Sequence, residues 1–352
     1  CIRDRDKLEE MFCPEGHEDW FSQVHQIVMK RFPRGWRIHG DMQFGNILAQ
    51  RDQPGRILLI DWEMSEVTVF GLGLMGMALA KAFQRAGLSI TVWNRTIKKA
   101  EALEPQNVVV AQSISDAIAA SPASIICVDD PKSVLTLFGH SQVESLLDGR
   151  IIIQLSTGLP KQVRDDQKWL AEKNADFLFG VIHCGPQDLG TKDGSILISG
   201  PSSIYKPVEG LLGHLGGKIE YLGEDIAAVS VLDLAWLSTR FGEFMGMLHA
   251  SNVCQAEGVD LQKFISMFPD NARVQHHVGT IRDGTYDQRT ATLSVWHASL
   301  KLLRQQAIDA GMDAGLPNHV CGLFEKAIKA GYGEEHVMAL FKVLKGDEGT
   351  VE

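Results

Sequence analysis

The sequence predicts an α/β chain: a doubly wound sheet, then one long helix that leads into an all-helical C-terminal domain. Three observations carry that expectation. Short apolar runs alternate with amphipathic stretches over residues 67–224, helical periodicity then runs unbroken from Ile226 to about Glu257, and no convincing strand follows. Alternation of strand and helix implies a parallel sheet covered by helices, because parallel strands need a long crossover between them.

The first unit is the most legible. Val67 to Phe70 is a short β-type run, and Gly71, Gly73 and Gly76 follow it at GxGxxG spacing, with Leu72, Leu74 and Met75 between them. The first glycine permits a tight turn, the second lets the backbone approach a pyrophosphate, and the third lets helix and strand pack closely. Met75, Leu79, Ala82 and Phe83 recur at helical spacing, Gly87 suits the helix end, and Ser89 to Trp93 reads as the second strand. Such a Rossmann unit places a dinucleotide's pyrophosphate on the helix N-terminus, where N–H groups have no intrahelical partner. A bare glycine turn in an α/β core is the competing reading, and the strand–helix–strand context argues against it.

Which dinucleotide binds is decided after the second strand. NAD-dependent sheets usually carry an acid there for the ribose 2′-hydroxyl. This chain has no acid between Glu66 and Glu101 and offers Asn94, Arg95, Thr96, Lys98 and Lys99 instead. Donors and cations suit a 2′-phosphate through charge-assisted hydrogen bonds, so NADPH/NADP is the expected cofactor.

Further strands are expected at Val108–Val110, Ser124–Val128, Ile151–Leu155, Phe177–Val181, Ser195–Ser199 and Ile219–Leu222, with helices such as Ile114–Ala120 and Gln162–Lys173 between them. The sheet is expected to be parallel throughout. Asp225 suits the N-cap of the long helix and Gly258 its C-cap, giving a rod of roughly 45–50 Å. Gly242 and Gly246 lie four apart on it and permit close approach by another helix. A rod this apolar needs more partners than one small domain provides, which points to an interlocked homodimer. The domain plan is thus 67–224 for NADP binding, 225–258 for the interdomain helix, and 259–352 for dimerisation and substrate, with Leu293–Ala310 and His319–Ala330 among its helices.

Composition bounds the partners. With 352 residues and a net charge of −10, the chain has room for two cores and lacks the basic excess of a duplex-DNA binder. No apolar stretch reaches membrane-spanning length without charge, and no secretory leader opens the chain, which begins on Cys1 and implies missing upstream sequence. Its six cysteines show no CxxC spacing and read as reduced thiols of a cytoplasmic protein.

Residues 1–66 carry a different pattern. His39, Asp41, Asn46 and Asp61 lie within Trp36 to Glu63, beside the strand-like segments Ile47–Leu48 and Ile57–Ile60. An aspartate that orients an acceptor hydroxyl, with an asparagine and a further acid on magnesium, is phosphoryl-transfer chemistry. This stretch resembles the catalytic segment of aminoglycoside and choline phosphotransferases. With no upstream lobe for ATP, it is expected to be a non-functional fragment left by gene fusion or faulty gene prediction.

The body of the chain carries more specific sequences: QLSTG (Gln154 to Gly158) and LDLAWLSTRFGEFMGMLHA (Leu232 to Ala250), beside GLGLMG and TVWNRT. Together they resemble the imine reductase and reductive aminase branch of the β-hydroxyacid dehydrogenase superfamily, whose NADP-binding domain is of the 6-phosphogluconate dehydrogenase type. The resemblance covers residues 67 to about 345 and implies reduction of C=N bonds, with an imine, or an amine plus a carbonyl compound, as substrate. In alcohol-oxidising members the long helix supplies a lysine and, four residues on, an asparagine. Here those places hold Asp233 and Leu237. A lysine shuttles a proton to and from oxygen, whereas a carboxylate stabilises an iminium cation or, if protonated, gives it a proton. Asp233 is therefore the expected catalytic residue, with Val229, Trp236 and Leu237 as apolar helical neighbours.

The resemblance also puts Thr157 near the nicotinamide ribose, and Val128 and Asp129 after the fourth strand at the cleft edge. Phe241 takes a place where fungal reductive aminases often carry a tyrosine, and Trp296 is a candidate wall of the same substrate pocket. No metal site is expected: His249 belongs to the helix pattern, His276 and His277 are adjacent and should face different directions, and His297 has no partner at metal spacing. A β-hydroxyacid dehydrogenase would need the missing lysine, and a cofactor-binding protein without catalysis is the remaining alternative.

Overall fold

The computed structural model describes residues 47–49, 57–59, 66–103, 107–128, 133–287 and 291–344. The phosphotransferase-like residues His39, Asp41, Asn46 and Asp61 lie outside them, as does Asp129. Within that N-terminal stretch, β1 (Ile47–Ala49) and β2 (Ile57–Leu59) pair antiparallel.

Eight further strands form one sheet: β3 (Glu66–Phe70), β4 (Ser89–Trp93), β5 (Val108–Val110), β6 (Ala123–Ile126), β7 (Ile151–Leu155), β8 (Asp176–Ile182), β9 (Ser195–Ser199) and β10 (Lys218–Tyr221), in the order β10-β9-β8-β7-β6-β3-β4-β5. The central strands β6 and β7 are buried along their whole length, the mark of a sheet covered on both faces, while the edge strands β5 and β10 are half-exposed. Alternation distributes side chains between two cores. Val67 and Val69 of β3 join Leu79 and Phe83 from α1 (Leu74–Arg85), whereas Phe70 joins Ile118 from α2 (Ile114–Ala120) on the opposite face. Thr68, also on that second face, is buried and donates to the Ala117 carbonyl at 3.0 Å.

One expectation is corrected. The sheet is mostly rather than wholly parallel, because β9 runs antiparallel to β8 and β10 runs parallel to β9. The cause is local: residues 183–194, HCGPQDLGTKDG, form turns and no helix, so the chain doubles back instead of crossing over. Between β9 and β10 the short helical segments Ser202–Tyr205, Lys206–Val208 and Glu209–Gly213 supply a crossover, and that pair is parallel.

Contacts divide the chain into two units: residues 1–156 with 161–230, and residues 157–160 with 231–352. The division falls inside the long helix α4 (Ala228–Ala256). Asp225 does cap its approach, accepting the Ala227 N–H at 3.1 Å, and Gly258 ends it at φ +68°, with the Val259 N–H reaching back to the Cys254 carbonyl. The second unit adds α5 (Ala272–Asp283), α6 (Leu293–Asp309) and α7 (Gly315–Lys329). Asn271 and Thr292 cap α5 and α6 with their side chains, and Phe241, Phe244, Val278, Leu300 and Phe324 meet in the unit's core.

A buried acid stands on α3 (Pro160–Ala171), between Val163 and Leu170 of the sheet core that holds Phe70 and Ile118. Burial, and then repulsion from Asp165, push the Asp166 carboxyl up to about 7, and its Oδ2 has no hydrogen-bond partner. An acid with a raised folded-state pKa stabilises the fold fully below its unfolded value near 3.8, and that contribution is lost as pH rises through about 7. Asp166→Asn is therefore expected to raise stability above pH 7 by on the order of 2 kcal/mol. Denaturant unfolding across the pH range checks this: the gain should shrink steadily as pH falls toward 4.

Candidate functional site

β3 is the strand at which sheet order reverses. The chain runs outward through β4 and β5 on one side and through β6, β7 and β8 on the other. Open α/β sheets bind ligands beyond the strand carboxyl ends at such a switch point.

The glycine turn sits there. Gly71 leaves β3 at φ +92°, and a Cβ on it would lie 2.2 Å from the Cys127 carbonyl oxygen and 2.7 Å from Val128 Cγ1. A Cβ on Gly76 would lie 1.9 Å from the Gly71 carbonyl oxygen. Both positions are set by backbone packing. Gly73 differs, since a Cβ there would meet nothing within 4 Å. It begins α1 without a side-chain cap, the first turn holds no acid, and the first helical bond runs from the Met77 N–H to the Gly73 carbonyl. The N–H groups of Leu74, Met75 and Gly76 precede that bond. Donors at a helix start beside open space are what an anion such as pyrophosphate requires.

Asn94 has a role that spacing did not suggest. Its Oδ1 accepts the Leu72 N–H at 2.9 Å, and its Nδ2 donates to the Thr96 carbonyl at 2.9 Å. It ties the glycine turn to the loop after β4, and the Leu72 side chain is buried beneath the turn. Arg95, Thr96, Lys98 and Lys99 are all exposed in that loop and in the 3-10 turn Ile97–Ala102. Neither the Thr96 hydroxyl nor any acid caps this turn. Exposed cations in a turn whose first residues hold no acid fit a 2′-phosphate, so the residues present fit NADPH at both its charged ends.

The residues expected to serve the reaction lie mostly in the helical unit. Asp233 stands in the second turn of α4 and is only 3 % exposed. Of its expected neighbours, Val229 and Leu237 are buried, while Trp236 is largely exposed. Thr157, just beyond β7, is half-buried and groups by contact with the unit that holds Asp233. Phe241 and Trp296 are brought together, with ring centroids 6.0 Å apart and edge to face. Phe241 is also in contact with Phe244 and Phe324 and is 1 % exposed, so it forms the aromatic centre of this unit.

One expectation about histidines is corrected. The rings of His276 and His277 do not diverge: they stand 5.0 Å apart, and both meet His336. Successive helical side chains do point in different directions, but a segment 59 residues later brings a third ring across the two.

Two family models match the chain. The NAD binding domain of 6-phosphogluconate dehydrogenase covers residues 66–223, and the C-terminal domain of NADPH-dependent reductive aminase-like proteins covers residues 225–346. An NADPH-dependent reductive aminase of Aspergillus oryzae is 28 % identical over 289 residues, 79 % of this chain and 97 % of the relative. The solved reductive aminase of Aspergillus terreus, in complex with NADPH4, cyclohexanone and allyl amine, is 33 % identical with a TM-score of 0.52, covering 80 % of this chain and 99 % of that one. An imine reductase of Myxococcus stipitatus in complex with NADP+ is 28 % identical with a TM-score of 0.56, covering 80 % and 100 %.

The three glycines should separate by experiment. Gly76→Ala forces a Cβ into a carbonyl and is expected to cost about 1–3 kcal/mol of stability or more. Gly73→Ala is expected to leave the melting temperature unchanged while raising the NADPH dissociation constant about tenfold. Thermal unfolding and fluorescence titration check both.

Proposed function

Because the chain belongs to the NADPH-dependent reductive aminase and imine reductase family, we propose that it reduces the C=N bond of imines or iminium ions. The observation that carries this reading is Asp233: a buried carboxylate on the long helix, where the dehydrogenase pattern has a lysine. NADPH, when bound, supplies the hydride. The chain's own residues do the rest. The first-turn N–H groups of α1 and the space over Gly73 hold the pyrophosphate, Arg95, Thr96 and Lys99 take the 2′-phosphate, and Asn94 keeps the two regions in register. Asp233 stabilises the positive charge of an iminium group, and in a site shielded from water that stabilisation is stronger than in bulk solvent.

Phe241 narrows the substrate class. It offers no hydroxyl to an amine and is held in an aromatic cluster, which favours reduction of a preformed imine over coupling of a free ketone with an amine. Trp296, at its edge, is the neighbouring candidate for contact with substrate. Val128 and Thr157 complete the cofactor's surroundings. The acidic net charge and the reduced-thiol pattern support a cytoplasmic enzyme that acts on small molecules rather than on nucleic acid. Among the described residues, no helix is long and apolar enough to cross a membrane.

The active assembly is a homodimer on this reading. One face of α4 carries Leu232, Ala235, Thr239, Gly242, Gly246 and Val253, all exposed, and a Cβ on either glycine would meet nothing within 4 Å. A run of apolar and small residues along a helix of 29 residues suits close packing against a second copy.

Asp233→Asn and Asp233→Ala are expected to lower kcat for a cyclic imine by about 10²–10⁴-fold with little change in NADPH affinity. Full retention of imine reduction would remove the assignment, and NADP-dependent hydroxyacid oxidation without imine reduction would favour the dehydrogenase alternative. Gly246→Phe is expected to leave each chain folded, by circular dichroism, but to shift sedimentation from dimer toward monomer.

A further inference from the structure

The histidine cluster of the helical unit is not used by the proposed reaction. His276 and His277 are consecutive on α5, and His336 precedes the 3-10 turn Val337–Leu340. One ring nitrogen from each lies within 4.8 Å of the others, with His277 and His336 buried and His276 exposed. Three imidazoles so placed suggest a metal ion. Their hydrogen bonds point the other way.

A guanidinium can only donate. Arg240 Nη2 lies 3.4 Å from His277 Nε2, so that nitrogen accepts, and the proton of the neutral ring sits on Nδ1. The Met338 N–H lies 3.1 Å from His336 Nδ1, which places that ring's proton on Nε2. Each buried ring has thus engaged its lone pair and presents an N–H, whereas a metal ion needs the lone pair. The site lacks acceptors, not donors. His277 Nδ1 is buried without a hydrogen-bond partner, and so is Arg240 Nε, on the residue bonded to it.

The surrounding charge agrees. Burial first, and then the electrostatic influence of His336, His276, Arg240 and Arg273, hold His277 down to about 3, while burial and then His276 hold His336 down to about 4. Both rings are therefore neutral at ordinary pH. Glu243 accepts from Arg240 at 2.7 Å and from Arg273 at 2.7 and 2.8 Å, so one carboxylate faces two guanidiniums. Residual positive potential repels a divalent cation and attracts an anion. Spacing is consistent with this: three nitrogens bonded to zinc at about 2.0–2.1 Å would lie within about 3.6 Å of one another, whereas donors about 3 Å from one acceptor can stand up to about 5 Å apart.

We propose that His276, His277 and His336 form a binding site for a single small inorganic anion of the halide class, and that the same site rejects divalent metal ions. The anion accepts from the unmet imidazole N–H groups and joins α5 to the segment at His336.

The test uses the full chain, freed of halide in gluconate buffer and saturated with NADPH so that the phosphate-binding positions are filled. Chlorine-35 NMR is expected to show line broadening that bromide displaces, and crystals soaked in bromide should show an anomalous peak among the three rings. His276→Gln alters the exposed ring and spares the core; it is expected to weaken halide binding about fivefold or more without changing the halide-free melting temperature. Absence of the bromide peak, or broadening that His276→Gln leaves unchanged, would overturn the proposal. So would stoichiometric cobalt(II) binding with tetrahedral absorption bands that His336→Gln abolishes, since that would make the cluster a metal site.

Discussion

The nucleotide end of this protein depends on one close approach of backbones. Gly71, Gly76 and the Cys127 carbonyl come so near that a single methyl group on either glycine would overlap an oxygen. That contact joins β3, α1 and the end of β6 at the place where sheet order reverses. Because it is made by main-chain atoms, it orients the first-turn N–H groups of α1 without relying on mobile side chains. Gly73 serves a separate purpose, as it keeps clear the space those donors need. The three glycines of one motif thus divide into two that pack the fold and one that leaves open space beside the helix start.

The long helix serves two purposes through its two sides. Its buried side carries Asp233, Leu237, Arg240, Phe241 and Phe244 into the helical unit, and its exposed side carries the small and apolar residues suited to a second copy. An aspartate so deeply buried is costly to keep unless it serves a reaction or a structural bond. On the proposed reading, the carboxylate of Asp233 serves C=N chemistry where the resemblance puts a proton-shuttling lysine in alcohol-oxidising members.

Charge is handled differently in the two units. In the loop after β4 the cations Arg95, Lys98 and Lys99 are exposed and able to form charge-assisted bonds with an anion. In the helical unit Arg240 and Arg273 share Glu243, and buried histidines beside them remain neutral. The first arrangement is suited to an anion that arrives as part of the cofactor, while the second leaves donors unmet inside the fold. Reading donors and acceptors atom by atom, rather than counting ligand-type residues, separates an anion site from a metal site.

Local pattern was enough for much of this architecture. Strand and helix boundaries fell within a few residues of the expected places, because periods of two and 3.6 residues record which faces are buried. The NADP-type loop was legible for the same reason, since its donors follow directly on β4. The reversal of β9 and β10 was legible in principle: a run of glycine, proline and aspartate between β8 and β9 leaves no room for a crossover helix. Other features needed tertiary structure. Asn94 reaching Leu72, the backbone of Cys127 set against Gly71, and His336 meeting His276 and His277 join residues that no short-range period relates. Sequence by itself determined the elements, the cofactor class and the residue on which the reaction is proposed to turn. Tertiary structure alone decided which distant groups share a hydrogen bond, and through those bonds which nitrogens keep a proton, because that depends on packing in three dimensions.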